Sequence, residues 1–285
     1  MHMIHMEPVG AIRSQWGEGP IWWKGSLYYV DIEGHLVHRY DPAYSRESSW
    51  DVGARVGTVV PRASGGLLIA GDHGISFLDI DACEISPIVD PESHLPENRF
   101  NDGKCSPDGR FFAGSISLTK KSGTAKLYRL DPNLTIHEAF GPVTNSNGIA
   151  WSADGTVVYY IDTPRKDVLA FRYENGMLLD PQVVISTEHI DASPDGMTID
   201  VEGNLWIAFC HGGCVACFDP KLGKELHRIE LPCLETTACA FGGADLTDLY
   251  ITTGIHKSVV EEHAGRLWLV RGLGTRGFPA HAFAG

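Results

Sequence analysis

Short apolar runs rich in β-branched and aromatic residues recur along the chain: "SLYYVDI", "GLLIAGD", "RFFAGSI", "TVVYYID", "NLWIAFC" and "DLYITTG". Such runs, bounded by turn residues, predict strands. Each follows a Gly-containing turn ("WWKG", "PRASGG", "SPDG", "SADG", "DVEG", "AFGGAD"), where glycine tolerates positive φ. A shorter apolar stretch precedes the turn, as in "GIAW" and "GMTID", and a third strand often closes on Asp-Pro: "LVHRYDP", "AKLYRLDP", "CVACFDP". No segment keeps a helical period, which argues against folds built on crossover helices.

The pattern has a phase. Asn101 precedes Gly109 by eight positions, Asn147 precedes Gly155 by eight, Asp195 precedes Gly203 by eight, and Glu18 precedes Gly25 by seven. Thr58 and Thr237 mark two weaker copies. The six anchors, at 18, 58, 101, 147, 195 and 237, are separated by 40, 43, 46, 48 and 42 residues, the period of propeller blades. A β-sandwich would not repeat so strictly. The chain therefore reads as all-β, a single six-bladed β-propeller domain over residues 1–285.

Blade topology then adds chemistry. The innermost strand of a blade starts on one rim of the central channel, and the loop between its second and third strands returns to that rim. Glu18, Asn101, Asn147 and Asp195 are expected to converge on one mouth. Residues 31–33, 72–73, 115–119, 162–165, 211–213 and 254–256 should look over it. Two carboxylates and two carboxamides form an all-oxygen set with a charge of about −2, suited to Ca²⁺, Mg²⁺ or Mn²⁺. Asn and Asp more commonly satisfy turn backbones, but four in phase at one mouth favour a cation.

Composition narrows the classes. A formal charge of −13 argues against a nucleic-acid surface. No apolar run approaches the ~20 residues of a membrane helix, and "MHMIHMEPVG" lacks the plan of a secretory signal, so no membrane partner and a cytoplasmic location are expected. Seven cysteines, an odd number, favour free thiols. Cys210, Cys214 and Cys217 suggest zinc by their spacing, yet strand alternation sends 214 and 217 to opposite faces, so buried structural thiols are expected.

Here the residues carry a resemblance. "GEGP" with Glu18, "NRFNDGK" at 98–104, "SNGIAW" at 146–151, "PDGMTID" at 194–200 and "AFGG" near 240 resemble the gluconolactonase/senescence marker protein 30 (regucalcin) family along essentially the whole chain. The resemblance implies a six-bladed propeller with one divalent ion (Ca²⁺, Mg²⁺, Mn²⁺ or Zn²⁺) that hydrolyses sugar-acid lactones, as a monomer or weak homo-oligomer. Glu18, Asn147 and Asp195 would bind the ion, and Arg99 and Asn101 would meet the substrate, Asn101 reaching the ion directly or through water. Members carry acidic residues in the loop where this chain has Ser117, Leu118, Thr119 and Lys120, so Ser117 and Thr119 would line a more open pocket. His211 stands where Asn is frequent and would be a polar lining residue. Asp195 is the candidate for orienting or deprotonating water, since a carboxylate can accept a proton and Asn147 cannot.

Other signals fail. "GLGTRG" at 272–277 has no helix after it, no G-x-S-x-G is present, and Trp50-Asp51 does not recur as in protein-binding propellers. Three readings stay open at this point: a metal-dependent sugar lactonase; another hydrolase on the same scaffold, acting on phosphotriesters or other lactones; and a non-catalytic calcium-binding propeller.

Overall fold

The computed structural model describes residues 4–285. Six four-stranded antiparallel sheets stand in a ring, a six-bladed β-propeller as the repeats predict. The innermost strands are Gly17–Trp23, Val56–Pro61, Asn98–Cys105, Ser146–Trp151, Ser193–Ile199 and Thr236–Gly242. Each touches its two neighbours, and the first touches the last, so the ring is closed. The one helical turn among the described residues is the 3₁₀ segment Thr163–Arg165. Glycines of the blade turns take the positive φ that the sequence requires, for example Gly109 at 78° and Gly203 at 86°.

The ring closes by mixing the chain ends. The sixth blade takes Thr236–Gly242, Asp248–Thr253 and Leu267–Arg271 from the C-terminal part and His5–Val9 from the N-terminal part as its outer strand. The C-terminal segment then crosses the face opposite the anchors. Gly277 bridges Asp200, while Phe283, fully buried, exchanges backbone bonds with Pro61 and Ala63, and Ala284 donates to Gly109.

Apolar side chains from facing sheets fill the spaces between blades. Cys214 packs with Ile161, Val168 and Ile207 on one face of its sheet, and Cys217 with Cys239, Phe241 and Ile251 on the other. The alternation argument is upheld for this pair. All seven cysteines are free thiols, and Cys83 alone is exposed.

Close blade packing reaches the channel at Gly57. A Cβ there would lie 2.2 Å from the backbone oxygen of Asn101 and 2.6 Å from that of Phe100. Gly57→Ala should destabilise the fold by about 1–3 kcal/mol, read as a lowered midpoint in thermal denaturation. An unchanged midpoint would mean that blades two and three are not so tightly apposed.

Candidate metal centre and active-site mouth

All six inner strands break register at their anchor. The shifts fall between Glu18 and Ile21, Val56 and Thr58, Phe100 and Gly103, Asn147 and Ile149, Pro194 and Met197, and Thr236 and Ala238. A bulge frees a residue from ladder pairing and re-aims its side chain. A glycine within two positions of five of the anchors (Gly19, Gly57, Gly103, Gly148, Gly196) leaves room for the neighbouring strand.

Glu18, Asn147 and Asp195 are buried and come together: the Asp195 carboxyl is within side-chain bonding reach of both Asn147 and Glu18. The Asn147 amide is oriented by a relay. Its Nδ2 donates to Thr163 Oγ1 at 3.0 Å, and that hydroxyl donates to the Pro194 carbonyl at 2.9 Å. Asn147 Oδ1 is left buried with no donor. Burial, and then the charge of Asp102, push the Asp195 carboxyl up to about 8. Burial, followed by the charges of Asp195 and Asp102, likewise raises Glu18. Two carboxyls and an orphaned amide oxygen are a donor set that a hard dication satisfies.

Arg99 and Asn101 are buried beside this cluster but bonded to each other. Arg99 Nη1 donates to Asn101 Oδ1 at 2.9 Å and to the Phe100 carbonyl at 2.8 Å. Asn101 Nδ2 donates to the Ser146 carbonyl at 2.8 Å and to Asn145 Oδ1 at 3.2 Å. The Asn101 oxygen thus faces a guanidinium, whereas the Asn147 oxygen has no donor. Arg99 Nε is buried and unpartnered; burial lowers the guanidinium to about 10, so it stays charged at neutral pH. A polar cavity of about 370 Å³ opens beside it, bordered by Arg55, Asp72, His73, Glu92 and Asn98.

Other rim residues behave differently from the sequence expectation. Asp31 accepts the backbone N–H groups of Gln15, Trp16 and Gly34, Asp72 that of Arg55, and Asp162 those of Thr144 and Asn145. Asp31 and Asp162 spend their oxygens on loops that lack a ladder partner for those donors, whereas Asp72, which also pairs with Arg55 Nε at 3.0 Å, borders the polar cavity beside Arg99. The hydroxyls of Thr58 and Thr237 are spent on the Gly103 and Gly17 carbonyls of adjacent blades. Ser117 is buried and its hydroxyl lies 3.1 Å from that of Thr119, which is exposed at the loop. His211 is exposed at the rim with Nδ1 3.0 Å from Glu235 Oε1.

Sequence reasoning passed over three groups, of which Asp102 and Glu235 are buried and Lys104 is partly buried. The charge of Asp102 acts on both Asp195 and Glu18; Lys104 Nζ donates to the Met197 carbonyl across the channel at 2.9 Å; Glu235 sits under His211. Asp102 and Lys104 share the "NDGK" string with Asn101, and that adjacency was the available signal. A separate cavity of about 240 Å³ on the opposite side, among Trp22, Trp151, Phe241 and Phe278, is lined by none of the oxygen anchors.

A profile of the SMP-30/gluconolactonase/LRE-like region matches residues 16–255. The chain belongs to this family. The family's regucalcin from Danio rerio is 39% identical over 296 residues, covering 100% of both chains. A Bacillus subtilis member, named provisionally as a sugar lactone lactonase, is 35% identical over 278 residues, covering 94% of this chain and 95% of its own. Among solved structures, a luciferin-regenerating enzyme superposes with a TM-score of 0.92 at 27% identity, covering 99% of this chain and 100% of its own. No helix among the described residues is long and apolar enough to cross a membrane.

Proposed function

We propose that this protein is a lactone hydrolase acting on small sugar-acid lactones, with one divalent cation held by Glu18, Asn147 and Asp195. The observation that carries the reading is the buried cluster of Glu18, Asp195 and Asn147, in which the amide oxygen has no donor; membership of a family that includes gluconolactonases supports the substrate class. A bound dication would polarise the lactone carbonyl, stabilise the developing oxyanion and acidify a water. The protein's own groups divide the remaining work. Asp195 orients the attacking water and accepts its proton. Arg99 forks onto substrate hydroxyls, Asn101 holds the guanidinium in register, and the polar cavity beside Arg99 receives the hydroxylated part of the substrate. Ser117 and Thr119 border the approach.

The test is turnover of five- and six-membered aldonolactones, followed by proton release, with chelator-stripped and metal-restored protein. Hydrolysis restored by a dication is expected. If aldonolactones are inert with every dication while phosphotriesters or other lactones turn over, the substrate class is wrong.

The raised carboxyls give a pH signature. Between the ordinary aspartate value of 3.8 and about 8 the folded, cation-free protein holds a proton at Asp195 that the unfolded chain releases, so this group's contribution to stability falls as pH rises through that window. A dication reverses the penalty. Its thermal stabilisation should be larger at pH 8 than at pH 5, in melts with chelator or with added cation. Equal stabilisation at both pH values would place the ion away from these acids.

A further inference from the structure

We propose a second metal site at the junction of blades five and six, in which Cys210, His211 and Glu235 hold a borderline transition-metal dication such as Zn²⁺. Cys210 ends the strand Leu205–Cys210, His211 follows it, and Glu235 leads into Thr236–Gly242 of the next blade. A backbone bridge joins Cys210 to Glu235. One donor atom from each residue lies within 4.8 Å of the others. Cys210 Sγ is 3.0 Å from Glu235 Oε2, and His211 Nδ1 is 3.0 Å from Glu235 Oε1.

The setting of Glu235 asks for a cation. Its side chain is 2% exposed, and its only ion-pair partners among the described residues are His211 and His256, with no Lys or Arg. Buried carboxylates are normally matched by a fixed positive charge or a metal. His256 does not provide the ligation. Its Nδ1 accepts the backbone N–H groups of Ser258 and Val259, at 3.0 and 3.1 Å, so its proton is on Nε2, which faces Glu235 Oε1 at 3.7 Å. It steadies the carboxylate from outside, as partners of metal ligands do.

Charge and donor type agree. A thiolate, a carboxylate and a neutral imidazole sum to −2, and sulfur with nitrogen selects zinc-like ions where the all-oxygen anchors select hard ones. The ligating form of cysteine is the thiolate, so binding proceeds as Cys–SH + M²⁺ → Cys–S⁻·M²⁺ + H⁺, the proton going to solvent, with the His211 proton on Nε2. His211, 57% exposed, leaves a fourth position open to water or a small anion, as in three-ligand zinc sites. The cysteine spacing concealed this arrangement, because the real partner of Cys210 lies 25 residues on and across a blade boundary.

Cobalt(II) titration of the metal-stripped full-length protein tests the proposal. A near-ultraviolet sulfur-to-cobalt charge-transfer band is expected, lost in Cys210→Ser and kept in Asp195→Asn, which removes only an anchor ligand. His211→Ala, an exposed position, and Glu235→Gln should each weaken cobalt binding at this band by at least about tenfold, with circular dichroism reporting the fold. Absence of the band from the wild-type protein at saturating cobalt, or its full retention in Cys210→Ser or His211→Ala, overturns the site.

Discussion

Asp195→Asn should weaken binding of a hard dication by more than about a hundredfold, since loss of a mere outer partner of a metal ligand costs about 10–100-fold. The substitution keeps shape and removes one of the two acids that touch in the cluster. Its effect on the empty protein should have the opposite sign. Burial and neighbouring acids raise both Asp195 and Glu18, so at alkaline pH an amide relieves repulsion and the cation-free variant should melt higher than the cation-free parent. Glu18→Gln should behave alike, and Asp195→Ala should abolish lactone turnover together with cation binding. Titration calorimetry and melts with chelator report the two effects. Unchanged affinity in both Asp195→Asn and Glu18→Gln would remove these residues from the metal centre.

Arg99→Ala is expected to leave cation affinity nearly intact while lowering kcat/KM for sugar lactones by roughly ten- to a hundredfold, the worth of one charge-assisted contact at about 1.5–3 kcal/mol. A guanidinium has no lone pair for an ion, and here Nη1 is bonded to Asn101 and Phe100 while Nε is free. A rise in KM alone would mark uniform binding of the hydroxyls; a fall in kcat would mark a contact that strengthens in the transition state. Arg99→Lys keeps the charge without the fork and should fall between. Loss of the cation in Arg99→Ala would mean that the guanidinium supports the acids instead of the substrate.

The blades were legible because their signals are local: strand composition, glycine turns and a repeat near the blade period. The convergence of Glu18, Asn147 and Asp195 followed from phase, since equal offsets before equivalent turns end at one mouth. What sequence could not disclose was direction. Asp31 and Asp162 share residue type and rim position with the anchors, yet they turn to backbone N–H groups, a choice made by loops whose paths depend on tertiary contacts. Asn101 and Asn147 look equivalent as letters, but a neighbouring arginine occupies one oxygen and a threonine relay frees the other. The Cys210–Glu235 contact spans two blades, and no repeat-based alignment brings those residues together.

The chain ends bear on how the molecule comes apart. His5–Val9 fastens the sixth sheet from outside, and the 277–285 segment runs across the channel floor to blades two and three. A ring fixed only at its seam could open there and unzip blade by blade. This one has a chord as well as a seam, so opening demands that both be released before much chain entropy is gained. The chord's contacts, formed between segments far apart in sequence, are of the kind made late in folding. Their loss should appear mainly as faster unfolding, with folding rate little altered. The protein's persistence is thus a matter of lifetime as much as of equilibrium, and it is set at the face turned away from the chemistry.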